Sequence, residues 1–142
     1  MPTRLTPILA LAAALILLPA HAAKPFQGPD LSGVYDCTGQ DAKEGPYTAV
    51  VTMALEKSQS VGAYGAYAFK MDVPDFGTYL GQAVATGSHI AITFALTDPS
   101  TKDYGTGLGT VSVRKGKASF QKFYYEAEFK GGNHGFERCV RR

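Results

Sequence analysis

The sequence contains two cysteines, and they lie close to the two ends of the chain. Cys37 belongs to the segment GVYDCTG, and Cys139 lies three residues from the C-terminus of the 142-residue chain. Two cysteines alone lack the spacing of a metal site, and a catalytic thiol needs an activating base that the neighbouring residues do not specify. In an oxidising compartment such a pair forms a disulfide by default, so the sequence predicts a Cys37–Cys139 bridge.

Candidates for acid–base chemistry are few. His89 and His134 each lie beside a predicted turn, and no nucleophile motif accompanies them. Glu126 and Glu128 in YYEAEF lie about 7 Å apart on one strand face, a separation that glycosidases use. Such enzymes also need a long substrate cleft, so we favour the interpretation that both charges lie on a solvent-facing surface. We therefore expect a protein that is not an enzyme, with no catalytic residue, no metal site and no cofactor.

Aromatic residues are the more informative excess, with eight tyrosines and eight phenylalanines. A tyrosine combines an apolar ring with a polar hydroxyl, so it suits both the lining of a barrel and the rim of a protein-binding surface. The alternative, that most of these rings simply fill the interior, stays open. The candidate ligand- or partner-binding residues are Tyr35, Tyr64, Tyr67, Tyr79, Tyr104 and Tyr124.

The first 22 residues have the pattern of a signal peptide. Arg4 precedes an apolar run from Ile8 to Leu18, and Ala20 and Ala22 suit the signal peptidase. The run is too short for a membrane-spanning helix, which needs roughly 20 residues, and no cysteine at the cleavage site offers lipid attachment. We expect cleavage near Ala22 and a periplasmic or secreted protein without a membrane anchor.

Removal of residues 1–22 leaves 120 residues, which fits one domain with a usable core. Arg4 is the only charged residue in that leader, so the formal net charge falls from +2 to +1. This near balance argues against nucleic acid as a partner. Residues 23–30, with Pro25 and Pro29, are predicted to form an extended arm, and residues 31–142 a single β-barrel domain.

From Leu31 onward the sequence alternates as β-strands do, and glycine, proline and polar turns separate the runs. HIAITFALT is the clearest case, because Ile90, Ile92 and Phe94 share one face. Short turns between consecutive strands imply antiparallel neighbours. The strands are predicted at residues 31–37, 47–57, 63–72, 77–86, 89–97, 104–114, 117–129 and 134–141.

Eight strands in sequence order either leave two exposed edges or close into a barrel. The predicted bridge favours closure, because Cys37 lies on the first strand and Cys139 on the eighth, and a disulfide needs Cα atoms within about 7 Å. A sandwich could also bring these strands together. Gly105, Gly107 and Gly109 share one face, where glycine permits strong bending or the close approach of a ring. We expect an all-β, eight-stranded antiparallel up-and-down barrel closed by one disulfide.

The start of the first strand resembles that of a known group. Gly33-Val34-Tyr35 is similar to the Gly-x-Trp start of the calycins, meaning lipocalins and avidins, with Tyr35 in place of the tryptophan. The resemblance implies a barrel whose open end holds a small apolar ligand. The chain has no tryptophan, which speaks against an avidin-like biotin site.

A second resemblance is local. YDCTG, with its distant cysteine partner, resembles the bacterial periplasmic inhibitors of C-type lysozyme, which are small disulfide-bearing barrels with two inhibitory loops. SVGAY (60–64) loosely matches the first loop motif, and YGTGLG (104–109) lacks the lysine of the second. We therefore expect a non-enzymatic exported barrel that binds a small apolar ligand or a partner protein. The alternative is a periplasmic inhibitor or immunity-type protein whose loops block an enzyme such as lysozyme.

Overall fold

The chain folds into a closed barrel of eight antiparallel strands. The computed structural model describes residues 24–142. The strands are β1 (Gly33–Asp41), β2 (Gly45–Leu55), β3 (Tyr64–Val73), β4 (Gly77–Thr86), β5 (His89–Leu96), β6 (Tyr104–Arg114), β7 (Lys117–Glu126) and β8 (Asn133–Arg141). Each strand pairs with its neighbours in sequence, and β1 also pairs with β8, so the predicted up-and-down barrel is confirmed.

Regular alternation between inward and outward side chains builds the wall. In β5, Ile90, Ile92 and Phe94 are buried while His89 and Thr93 are exposed. Hairpin turns close where the backbone can take positive φ, as at Lys115 (51°) and Gly116 (76°) between β6 and β7. Two consecutive positive φ values match the right-handed twist of the flanking strands, which fixes the register of this hairpin.

The disulfide joins the first strand to the last. Cys37 and Cys139 are directly opposed across the β1–β8 ladder, their Cα atoms are 4.1 Å apart, and their sulfur atoms are bonded. The predicted Cys37–Cys139 bridge is therefore confirmed, and it lies on the seam where the sheet closes. Both cysteines face the interior and are buried.

Most predicted strand boundaries lie within two residues of the observed ones, and the two larger differences are at the ends of β1 and β7. β1 continues beyond residue 37 to Asp41, because Thr38 to Asp41 pair with both β2 and β8 even though they form no apolar run. β7 ends at Glu126 and not at residue 129, because a short 3₁₀ turn, Phe129–Gly131, leads into β8. The register of β7 with β6 is continuous from Lys117 to Tyr125, so the alternation runs unbroken through the aromatic segment.

Bulky side chains fill most of the interior. The largest fully buried ones are Tyr35, Phe120, Leu31, Met53, Ile90, Ile92 and Val51. The N-terminal arm lies against the barrel end that carries the β2–β3, β4–β5 and β6–β7 connections, which we call the arm end. Gln27 N–H donates to Gly62 O at 2.7 Å, and the Tyr35 hydroxyl donates to Leu31 O at 2.6 Å. These contacts cover the arm end of the core.

The predicted signal peptide, residues 1–22, lies outside the described residues. Residues 24–30 contain neither helix nor strand. Within residues 24–142, no helix has the length and apolar character needed to cross a bilayer.

We expect the disulfide to contribute substantially to stability, because it closes a loop with a sequence separation of 102 residues. Loops of about 100 residues are assigned up to about 4.7 kcal/mol in the chain-entropy model, and loss of a native bridge costs about 2–5 kcal/mol. Cys37→Ser and Cys139→Ser should lower the melting temperature equally, and the double variant should be no less stable than either one. Unequal losses, measured by thermal unfolding, would show that the two sulfurs act independently.

Candidate functional site

The interior becomes polar toward the end of the barrel opposite the arm. This end carries the β1–β2, β3–β4, β5–β6 and β7–β8 connections, and we call it the cup end. Buried charges are rare unless they are paired, so a group of them marks a place that packing alone does not explain. The buried polar residues in this half of the barrel are Asp41, Asp103, Lys122, Glu126, Asn133 and Glu137.

A cavity of about 70 Å³ lies among these side chains. Its apolar wall consists of Met71, Val73, Phe76, Phe94 and Phe129, and its polar wall of Asp41, Glu44, Tyr47, Tyr79, Asp103, Lys122, Tyr124 and Glu126. Glu44 and Phe76 are exposed, so the cavity reaches solvent beside them. A cavity of about 150 Å³ holds benzene, so this one suits a molecule of about half that size.

Asp41, the last residue of β1, is held as a carboxylate by four hydrogen bonds. Its Oδ1 accepts the backbone N–H groups of Lys43 (2.8 Å) and Glu44 (2.9 Å). Its Oδ2 accepts the Tyr124 hydroxyl and the Asn133 amide, both at 2.7 Å. Burial alone would raise its pKa, but these bonds outweigh burial and hold the pKa of Asp41 below its ordinary value. Asp41 is therefore a fixed negative charge.

Asp103 and Glu126 form a carboxyl pair close to Asp41, since the Asn133 amide that donates to Asp41 also donates to Glu126 Oε2 at 2.6 Å. Burial first, and then the negative charge of Asp103, raises the pKa of Glu126 to about 8. Burial likewise raises the pKa of Asp103. The Tyr79 hydroxyl donates to Asp103 Oδ2 at 2.7 Å, and the other donor to this carboxylate is the protonated Glu126 carboxyl. At neutral pH one proton therefore links the carboxyl groups of Asp103 and Glu126.

Lys122 and Glu137 form a buried ion pair across the β7–β8 ladder. Lys122 Nζ lies 2.9 Å from Glu137 Oε1, with the two side chains 1% and 0% exposed. The Tyr47 hydroxyl donates to Glu137 Oε2 at 2.8 Å. The ammonium also lies 5.2, 5.3 and 5.8 Å from the ring centroids of Phe69, Phe94 and Tyr124. One carboxylate and three aromatic faces thus balance a single buried cation.

Two glycines provide the space that the interior tyrosines occupy. Gly39 is opposed to Tyr47 and Gly135 to Tyr124 in the strand ladders. A Cβ atom on either glycine would overlap the opposing tyrosine. Because both positions lack a side chain, the rings extend across the neighbouring strand, and their hydroxyls reach Glu137 and Asp41.

The same alternation turns apolar side chains outward. An outer apolar row crosses five strands through register-paired positions, which are Val84, Ala91, Leu108, Phe123 and Phe136. Val84 is 58%, Leu108 66% and Phe136 62% exposed. The ring centroids of Phe123 and Phe136 lie 5.3 Å apart. A contiguous apolar strip of this kind is uncommon on a monomer surface, which makes it a candidate interaction surface.

A shallow groove of about 560 Å³ follows the β8 end of this row. Leu108, Phe123 and Phe136 line it together with Gln121 and the exposed Arg138. The groove therefore combines three apolar side chains with one guanidinium group.

The six tyrosines predicted to bind a ligand or partner do not form one site. Tyr79 and Tyr124 lie in the cup, where each bonds a carboxylate. Tyr35 and Tyr67 are buried at the arm end. Tyr64 and Tyr104 are 64% and 41% exposed and begin β3 and β6, at opposite ends of the barrel.

The carboxylates of YYEAEF also separate. Glu128 is exposed and bonds Tyr104 and Lys102. The interpretation that both charges face solvent is wrong for Glu126, which is 5% exposed, because β7 alternates without a break and turns Glu126 inward. Regular alternation could have revealed this, since it also places Lys122 and Tyr124 inside.

One cluster of possible metal ligands occurs among residues 24–142, and it consists of Cys37, Glu137 and Cys139. Its two sulfurs are bonded to each other, which leaves a single carboxylate as a free ligand. The exposed histidines His89 and His134 are not members of it.

Comparisons with protein-family models, curated proteins and solved structures found no match for this chain. The fold itself, an eight-stranded antiparallel barrel in sequence order, is consistent with a calycin-like architecture.

We expect Lys122→Met to be strongly destabilising, because it leaves the Glu137 carboxylate buried without its cation. Breaking a buried pair in this way costs about 3–5 kcal/mol, measured as the free energy of unfolding in urea. Replacing both partners, Lys122→Met with Glu137→Leu, should recover most of the loss. The control is Lys70→Met, since the Lys70–Asp72 pair is about half exposed and should change stability by less than about 1 kcal/mol. Equal effects of the two lysine substitutions would contradict the importance of the buried pair.

Glu126 should make stability depend on pH. The folded protein keeps its proton up to a pKa of about 8, whereas the ordinary value is 4.5, so between these values the folded state binds more protons. The free energy of unfolding therefore falls as pH rises from 4.5 to 8, with a slope of up to about 1.4 kcal/mol per pH unit. Glu126→Gln should flatten this slope in urea unfolding at stepped pH. The exposed Glu56→Gln should keep it, and a slope unchanged in Glu126→Gln would refute the assignment.

Proposed function

We propose that this protein is a non-enzymatic, exported binding module that docks a partner protein on its outer apolar row. The observation that carries the proposal is the row itself, five register-paired apolar positions that cross the wall from Val84 to Phe136 with three side chains more than half exposed. Export accords with the leader pattern and with the disulfide.

The interior supports a partner protein over a lipocalin-like ligand. The cavity of about 70 Å³ is far below the 300–1,000 Å³ of common ligand pockets, because aromatic and sulfur-containing side chains fill the barrel. The outer wall offers a partner more surface than this cavity does. The loop-based alternative has less support, since residues 60–64 lie at the arm end, whereas 104–109 belong to β6 and begin at the cup end.

The charges around the row indicate what kind of partner it fits. On β4, β5, β6 and β7, the outward-facing residues other than those at the ends of each strand include no Asp, Glu, Lys or Arg. They extend from Leu80 on β4 to Tyr125 on β7. Exposed cations border the strip on one side, and they are Arg114, Lys115, Lys117 and Arg138. None of these four takes part in the ion pairs of the described residues. The surface is therefore complementary to a protein that presents apolar side chains flanked by carboxylates.

A random peptide library displayed on phage tests this proposal directly. Peptides selected on the immobilised protein should combine Leu, Ile or Phe with adjacent Asp or Glu. Leu108→Ser and Phe136→Ser should each weaken binding of the selected peptides at least about tenfold, because apolar anchors dominate such interfaces. Arg138→Glu should shift the selection toward Lys and Arg.

The matched control is Val61→Ser, which removes an apolar side chain that is 41% exposed away from the row. Its binding should equal that of the unmodified protein. Selected peptides that bind Leu108→Ser and Phe136→Ser undiminished would overturn the proposal. A dimer in sedimentation velocity that dissociates in Phe136→Ser would also overturn it, because a second copy would then cover the row.

A further inference from the structure

The cup contains more negative than positive charge. Asp41 and Asp103 are carboxylates there, while Glu137 already neutralises Lys122, the one cationic residue that lines the cavity within residues 24–142. Glu44 adds a carboxylate at the mouth, where it pairs with Lys130. Buried charge of one sign is costly, so this arrangement favours a bound cation.

We propose that the cup binds a small organic ammonium ion, with the cationic head between Asp103 and Glu126 and a short apolar body against Phe76, Phe94 and Phe129. This site shares no residue with the outer apolar row, so each of the two proposals can be tested without the other.

The first support is a buried carboxylate with a single fixed donor. Asp103 is 3% exposed and lines the cavity, and among the described residues only the Tyr79 hydroxyl and the proton of Glu126 donate to it. An ammonium group carries three donors and a positive charge, so it can replace that proton and stabilise both carboxylates.

The second support is the aromatic wall. The rings of Phe76 and Tyr79 stack with centroids 6.3 Å apart, Phe129 meets Phe76 edge to face at 6.3 Å, and Tyr79 meets Phe94 at 5.8 Å. Ring faces attract ammonium ions, and ring edges pack against short alkyl groups. The cavity of about 70 Å³ has room for about four non-hydrogen atoms.

The third support is the proton that Glu126 retains. In the absence of a cation, this carboxyl takes up a proton and so reduces the negative charge of the cup. The groups facing it are Asp103 before β6, Asn133 on β8, Asp41 on β1 and Tyr124 on β7. An entering ammonium replaces this proton, and the released proton passes to the buffer.

The probes are n-propylammonium, its neutral analogue 1-propanol and the anion propionate, titrated into the full exported chain at pH 7 and constant ionic strength. Amide chemical shifts should move for Asp103, Glu126 and Phe129 with n-propylammonium, with a Kd in the millimolar range or tighter, as about four non-hydrogen atoms allow. 1-Propanol should bind at least about tenfold more weakly, and propionate should not bind.

Three variants separate the role of Asp103 in binding from the role of Glu126 in proton release. Asp103→Asn should weaken the binding of n-propylammonium at least about tenfold. Glu126→Gln, nearly isosteric and neutral, should abolish the proton release that calorimetry in two buffers of different ionisation enthalpy measures. Glu56→Gln, exposed and remote, should match the unmodified protein in both measurements. The Glu126→Gln result keeps the test decisive if Asp103→Asn fails to fold.

Equal affinity for n-propylammonium and 1-propanol would overturn the proposal, since the pocket would then select only for apolar bulk. Saturation of the same shifts by sodium or calcium chloride at lower concentration would also overturn it in favour of an inorganic ion. Binding without proton release would also overturn the proposal, because the ammonium would then not replace the proton of Glu126.

Discussion

Closure of the sheet between β1 and β8 is the constraint on which the rest of the structure depends. The strands meet in an unbroken ladder, and the Cys37–Cys139 bond crosses it with a Cα separation of 4.1 Å. Once the sheet is closed, every strand has two partners, and inward and outward positions are fixed by alternation alone. The bond thus holds together residues that are 102 positions apart in the chain, at the ladder whose pairing closes the sheet.

Strict alternation places some charged side chains inside the barrel and some aromatic side chains outside it. On β7 it places Lys122, Tyr124 and Glu126 inside and Phe123 and Tyr125 outside, against the usual preference of charges for water and rings for the core. The interior accommodates its charges by pairing, hydrogen bonding and protonation, as at Lys122 and Glu126. The exterior is left with uncovered apolar side chains. β7 therefore contributes side chains to both candidate sites.

The fold could be predicted from the sequence because short-range signals agree with each other there. The alternation in β5, the turn residues between β6 and β7 and the positions of the cysteines each indicate the same topology. The cup could not be predicted. Asp41 and Asn133 are 92 positions apart, and no local pattern shows that they share a hydrogen bond. Local sequence predicts Glu126 at the surface because it is charged, whereas its burial depends on partners from other strands.

The interlocking of each interior tyrosine with a glycine on the next strand has an evolutionary consequence. The ring of Tyr47 occupies the volume above Gly39, and that of Tyr124 the volume above Gly135, so neither glycine can gain a side chain while the ring is present. At Gly39 a larger residue becomes tolerable only after Tyr47 has shrunk, whereas Gly135 is also confined by the backbone oxygen of Gln40 and must stay glycine. In homologous sequences positions 39 and 47 would vary together, with Glu137, which accepts the Tyr47 hydroxyl, varying in step, while position 135 would remain glycine.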